Sequence, residues 1–287
     1  MTIRMLISIF STLTLSSWAD GLLSEAQIEK ILNETPEKTG ELSGPRKILF
    51  CWSKPDHPKG THSYQGFATT LAASLSELNK VEAVAVEGFP AKDLWKDADL
   101  VVFNLTQKSL SEEQLAQLDA HLAKGGALMV IHQGLVQRAG YDEWAERIGY
   151  SFSWAKGDAK SKWGQGTMDV DLESGNEILK GFPKQVTMKD ELYWNLKKGS
   201  RGKITTLATT EAPRKEGGDP EPRWPVFWTV EHPAQDGNKP GRVFCSVIGH
   251  FDQVQDSPFF RIAILRAMAW TLDEPFEPFK SLAIPKK

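Results

Sequence analysis

From Arg46 onward, apolar runs alternate with stretches of helical periodicity. KILFCW, VEAVAVEG, LVVFNL and ALMVIH are short runs of β-branched and aromatic residues, whereas Tyr64 to Leu78 and the segment from Ser111 repeat apolar positions every three or four residues. The Ser111 segment is the best marked. Ser111 with Gln114 forms a capping box, Leu115, Leu118 and Leu122 share one face, and Gly125-Gly126 ends the helix. Strands separated by helices pair in parallel through right-handed crossovers. Runs such as LVVFNL and ALMVI are apolar on both faces, as strands covered by helices must be. After about Gly149 the texture turns to Trp, Gly and Lys, with shorter strands expected at GTMDVDL, KQVTMKD, KITTLAT, PVFWTVE and GRVFCSVIG. A closing helix runs from Pro258 to about Leu272, with Ile262, Leu265, Ala269 and Trp270 along its apolar side. The pattern predicts one elaborated α/β domain over residues 44–278, preceded by an arm over 20–43 and followed by a tail over 279–287.

The first 19 residues carry one cation, Arg4, then an apolar stretch from Met5 to Leu15, then Ser17-Trp18-Ala19. This is the order of a secretory signal peptide cleaved near Ala19, and it predicts a periplasmic or secreted protein. The 287 residues are 40 % apolar and 25 % charged, with a net charge of -3. A slightly acidic chain without a basic run makes nucleic acid and anionic membrane poor partners. A homo-oligomer stays open. Cys51 and Cys245 each sit in an apolar strand, so two buried thiols are expected, with a single bridge as the alternative.

In an open parallel sheet, ligands bind beyond the carboxyl ends of the strands, where loops converge. Five places qualify. His57 and His62 follow the first strand: His57, between prolines, reads as an ordinary loop residue, and His62, just before a helix, as a crevice residue. Asn104 ends LVVFNL as a cap or a ligand contact. GGALMVIHQGL delivers His132 and Gln133 at a strand end, with Gly134 allowing a sharp turn; the position is that of a nucleophile elbow, but it holds no Ser or Cys. MKDELYWN places Asp190, Glu191, Tyr193 and Trp194 at the end of another strand, a partly apolar setting that raises a carboxyl pKa. His250 follows the last strand and Arg261 opens the closing helix.

These segments, THSY, GGALMVIHQG, DELYWN, PVFWTVE and above all GRVFCSVIGHFDQVQDSPFFRIAILRAMAW, make the chain similar to the ThuA-like family, named for trehalose utilisation. The resemblance covers most of the chain after Arg46. It implies a flavodoxin-like, class I glutamine-amidotransferase-like fold, a mostly parallel sheet flanked by helices, without the amidotransferase cysteine. It also implies a role in carbohydrate metabolism, often beside oxidoreductases that make 3-keto-glycosides, and it carries over by position to His62, His132, Asp190, Glu191, Tyr193 and His250. The WAKGDAKSKWGQG insertion and the expected export depart from a cytosolic trehalose pathway.

The function expected is an enzyme acting on a modified sugar or glycoside by hydrolysis, elimination or isomerisation. His132 or His250 would be the base, Glu191 or Asp190 the acid or orienting partner, and Tyr193 with Trp194 the sugar contacts, alongside His62, Asn104 and Gln133. A zinc or other divalent site on His62, His132 and His250 is ranked below the metal-free version, because no HExxH or tight His pair supports it. A non-catalytic carbohydrate-binding module is the alternative, favoured by ten Trp residues, with Trp163, Trp194 and Trp224 as stacking candidates. A serine or cysteine hydrolase is weakest, since GxSxG is absent.

Overall fold

The structure is a computed structural model that describes residues 22–34, 38–107, 109–212 and 222–284. The expected leader lies outside the described residues, and among them no helix is long and apolar enough to cross a membrane. In chain order the elements are α1 (Glu25–Asn33), β1 (Arg46–Trp52), α2 (Tyr64–Leu75), β2 (Val81–Glu87), α3 (Lys92–Lys96), β3 (Leu100–Asn104), α4 (Glu112–Ala123), β4 (Ala127–Ile131), α5 (Tyr141–Ile148), β5 (Tyr150–Ser151), β6 (Lys162–Leu172), β7 (Gln185–Trp194), β8 (Lys197–Lys198), β9 (Lys203–Glu211), β10 (Arg223–Glu231), β11 (Arg242–Ser246), α6 (Asp252–Asp256) and α7 (Pro258–Leu272).

Nine strands form one sheet in the order β2-β1-β3-β4-β11-β10-β9-β6-β7. Its first half is the expected parallel α/β unit: β1 pairs in parallel with β2 and β3, β3 with β4, and β4 with β11. The remaining pairs are antiparallel. β3 and β4 are buried at every position, as their unbroken apolar runs require. Both predicted capping residues of α4 are in place, Ser111 accepting from the Gln114 amide and Gln114 reaching back to Ser111.

Helix α7 differs from the expected one-sided helix. It is buried on nearly every side, Phe259, Phe260, Ile262 and Leu265 being inaccessible, because the segment over 277–282 closes over it. Phe279 and Ala283 are fully buried, so the expected tail contributes these two side chains to the core. Residues before β1 lie against the domain: Ile31 and Leu42 are buried, and Arg266 of α7 donates to the Ile31 and Glu34 carbonyls at the end of α1. Each such apolar side chain contributes roughly 1.5–3 kcal/mol. Cys51 and Cys245 are unpaired and buried, with thiol pKa values raised by desolvation.

The hairpin β6–β7 positions the site. β6 joins β9 only through Asp171 and Leu172, yet it pairs with β7 over its whole length, from Lys162↔Trp194 to Asp171↔Gln185. Past the junction the hairpin makes no further ladder pairs with β9, although Thr210 still donates to the Asp169 carbonyl, and its far end reaches the loops that follow β4 and β11.

Candidate active site

Three strand ends of the parallel half each deliver a histidine. His62 closes the loop after β1, His132 follows β4 and His250 follows β11. The register Ser246↔Ile131 brings the chain out of β11 and β4 at one level. His62 and His132 both have left-handed backbone, φ 48° and 47°, a conformation that costs a residue with a Cβ roughly 1–3 kcal/mol. The sharp turn expected at Gly134 is thus made by His132 itself. Gly134 is required for a different reason: a Cβ there would lie 2.5 Å from the Phe103 carbonyl oxygen. Gly249, with φ 118°, turns the chain into His250.

The imidazoles converge. His62 Nε2 lies 3.1 Å from His132 Nε2 and 2.9 Å from His250 Nδ1, and the last two are 3.2 Å apart. Glu191 Oε2 lies 3.4 Å from His132 Nε2 and 3.6 Å from His250 Nδ1. The outer nitrogen of His132 donates to a group that only accepts, the Val247 carbonyl at 2.6 Å, and that of His62 lies 2.9 Å from Asp56 Oδ1 and 2.6 Å from the Tyr64 hydroxyl, whose own proton goes to Asp56. Those partners fix the protons on Nδ1. The two Nε2 atoms therefore face one another, with the Tyr193 hydroxyl 3.0 Å from that of His132, and a cation between them would satisfy both.

Spacing and charge both fit a divalent ion. An ion held tetrahedrally at ~2.0–2.1 Å sets neighbouring ligand atoms roughly 3.3 Å apart. Burial lowers His62 to about 4, with His132 and His57 acting in the same sense against Asp56. Burial and then the charge of His132 lower His250 to about 3. Both rings are neutral at neutral pH, the form that binds metal. Burial alone would raise Glu191, but its contacts with His132 and His250 and with the Gln165 amide outweigh it and hold the carboxyl below its ordinary range.

Asp190 and Glu191 do different work. Successive residues of β7 face opposite ways. Glu191 faces the imidazoles. Asp190, fully buried, accepts from the backbone N–H of Gly249 at 2.7 Å, Glu191 at 2.9 Å and His250 at 3.2 Å. It holds the loop that carries His250, and burial raises its pKa to about 6 against the pull of His132 and these amides. Both acids lie inside a strand that continues to Trp194, where the sequence pattern ends it at Asp190.

Tyr193 stacks on His132, ring centroids 4.7 Å apart, and its hydroxyl donates to Gln133 Oε1 at 2.8 Å. Trp194 lies on the opposite face of β7 from Tyr193 and is not brought to the histidines. Asn104 is buried at the end of β3, with no partner for its side-chain amide among the described residues. Arg261 lies at α7 and donates to the Leu282 carbonyl. Trp224 is half-buried on β10, pairing with Thr210. His57 sits at the rim, its ring centroid 3.9 Å from that of His62.

Sequence reasoning missed Asp56, Tyr64 and Gln165. Tyr64 and Thr106 complete the Asp56 network, with the Tyr64 hydroxyl 3.0 Å from Thr106 Oγ1 and 2.6 Å from His62 Nδ1. Gln165, exposed on β6, places its amide 3.0 Å from His250 Nε2 and 3.3 Å from Glu191 Oε1. The signal for Gln165 was its place in GQG, inside the segment read as an insertion. Its cross-strand partner is Glu191, a pairing that chain spacing does not encode.

Among solved structures the chain is similar to a ThuA-like protein from Parabacteroides merdae, with 17 % identity, TM-score 0.61, and coverage of 80 % of this chain and 91 % of that one. A ThuA-like protein from Bacteroides uniformis aligns with 13 % identity and TM-score 0.54 over 84 % of this chain and 98 % of that one. At these identities the likeness shows the fold. No curated protein matches. The family described as ThuA, trehalose utilisation, matches residues 47–271, which take in all three histidines and both acids of the site, and the chain therefore belongs to that carbohydrate-utilisation family.

Proposed function

We propose that the chain is a metal-dependent enzyme of carbohydrate breakdown, acting on an oxidised or otherwise modified sugar or glycoside by hydrolysis, elimination or isomerisation. One observation carries the reading: a ring nitrogen from each of His62, His132 and His250 lies within 2.9–3.2 Å of the other two, a three-imidazole set that would leave one position on an ion open, with the Glu191 carboxylate beside it. This reverses the ranking drawn from sequence, which placed the metal-free site first. Histidines from three separate loops leave no spacing motif, and their convergence is what supports the metal reading.

A divalent ion bound there supplies Lewis acidity toward a substrate oxygen. The chain's own residues do the rest. Asp56 and the Val247 carbonyl orient the two imidazoles from outside. Glu191, ionised, is the group placed to take a proton from bound substrate or water. Tyr193, held by Gln133, packs against His132 and excludes water from that side, while exposed Gln165 marks the side open to solvent. Export through the first 19 residues belongs to the same reading, and N-terminal sequencing of the mature protein checks it.

Elemental analysis of protein purified without a His tag tests the centre. About one equivalent of zinc, manganese or a similar ion is expected, lost in His132→Ala and His250→Ala, together with turnover of 3-keto-glycosides or their parent glycosides. Metal-free protein that still turns these substrates over returns the reading to acid/base chemistry alone. Metal bound without turnover favours a non-catalytic carbohydrate-binding module.

A further inference from the structure

We propose that a hollow bounded by Trp154 and Trp163, next along the β6–β7 hairpin from Gln165 and Glu191, is a subsite for a second pyranose ring, so that the substrate is a glycoside of at least two residues. The inference rests on the reading of the centre as a sugar site, and the binding measurement below is independent of it.

The placement follows from strand register. In the β6–β7 hairpin Gln165 pairs with Glu191 and Trp163 with Tyr193. Directly paired residues of antiparallel strands share a face, so Trp163 stands on the same side as Glu191 and Tyr193, one pair further from the histidines. A second route reaches the same place. Tyr193, stacked on His132, meets the Phe152 ring edge-on at 5.4 Å, and Phe152 lies 4.9 Å from Trp154. A file of aromatic rings thus runs from the centre to the surface.

The hollow at its outer end has a volume of about 320 Å³ and is lined by Phe152, Trp154, Lys160, Ser161, Lys162 and Trp163, at the small end of ligand sites. Trp163 is 61 % exposed and Trp154 37 %; among the described residues the only other exposed large apolar side chain is Ile284. Exposed indoles gathered at one hollow beside a reactive centre mark a binding surface. Polar groups surround them. Arg138 and Lys160 lie 5.6 and 5.8 Å from the Trp154 ring centroid. Neither these cations nor Lys162 makes an ion pair among the described residues. A pyranose ring matches this surface: its C–H face packs on an indole, and its ring-edge hydroxyls accept from Lys and Arg.

The test is titration of the metal-loaded protein with mono- and disaccharides of gluco, galacto, manno and glucurono configuration, following the indole N–H resonances and affinity by calorimetry. Disaccharides are expected to shift the Trp154 and Trp163 signals and to bind about tenfold more weakly to Trp163→Ala, with partial recovery in Trp163→Phe and unchanged metal content. Trp163 is exposed, so its replacement leaves the fold intact. Equal binding of mono- and disaccharides, or disaccharide binding indifferent to both indoles, overturns the subsite even where metal and turnover are present. So does the absence of any indole shift across the panel, or an indole response to anionic lipid vesicles alone. Indole shifts in a protein without metal or turnover leave the subsite standing and defeat the catalytic reading instead.

Discussion

The two halves of the sheet contribute unlike things to one site. The parallel half supplies the three imidazoles from the ends of β1, β4 and β11, where strand-to-helix loops meet by topology. The antiparallel half supplies Glu191, Tyr193 and Gln165 from inside strands, on a hairpin attached to the sheet through two residues of β6. The centre is thus set by loops of the parallel half, and the groups around it come from the hairpin, tied to those loops through Asp190. The difference predicts a gradient: losses in the parallel half abolish the centre, and losses on the hairpin tune it.

The steepest test replaces His132. Asn tolerates left-handed backbone better than Ala, so His132→Asn keeps the turn and removes only the ligand. Metal content should fall to background and kcat/KM by about 10³-fold or more, roughly 4 kcal/mol of barrier, with circular dichroism unchanged. A loss under tenfold would show that the parallel half does not hold the reactive centre.

His121 is the control within the same half, a buried imidazole outside any cluster. Its Nε2 donates to the Ala127 carbonyl at 3.0 Å, and its ring lies against Trp95. Burial lowers its pKa to about 4, the bond to Ala127 opposing and the charge of Lys124 assisting. The unfolded chain binds this proton below about 6.5 while the folded protein does not. Stability from neutral His121 is therefore complete above pH 6.5 and falls as pH drops toward 4, by at most about 3 kcal/mol. Denaturant titrations of wild type and His121→Gln between pH 7 and 4 check this; curves that stay parallel across that window contradict it.

Most of the parallel half was legible because its signals are local. Ser111 and Gln114 announce α4, Pro258 announces α7, and the apolar runs announce β3 and β4. His132 was legible too, since a polar residue ending such a run has nowhere else to point. The hairpin was not. Nothing in the order of residues says that Gln165 lies opposite Glu191, or that a hairpin leaving the sheet at Asp171 returns to β4. Asp190 and Glu191 looked alike as adjacent acids, and only the alternation of a strand that continues past them assigns one to the loop of His250 and the other to the imidazoles. Helices α3 and α5 went unread; they are five and eight residues long, too short for periodicity to register.

Asp190→Asn probes the seam between the halves. The carboxylate accepts from the amides of Gly249 and His250 across 59 and 60 residues of chain. An amide nitrogen in place of one oxygen would face N–H donors with a donor. His250 should lose its fixed position, with metal affinity and kcat/KM down about 10–100-fold. Competition with a chelator measures the first and steady-state kinetics the second. Unchanged metal affinity would make Asp190 a part of the hairpin's own folding and not a positioning residue for the centre.

Tyr193→Phe should give the smallest effect. The phenyl ring keeps the stack on His132 and the edge contact with Phe152, so packing and metal content stay as they are. Only the hydroxyl goes, leaving Gln133 Oε1 without its donor at 2.8 Å and removing the 3.0 Å contact with His132 Nε2. One hydrogen bond between neutral groups is worth about 0.5–1.5 kcal/mol, so kcat should fall about two- to tenfold with KM little changed. Because Tyr193 belongs to the hairpin, a loss as deep as that of His132→Asn would erase the gradient between the halves and make the hydroxyl a partner in the chemical step; no loss at all would confine the hairpin's part to Glu191 and Gln165.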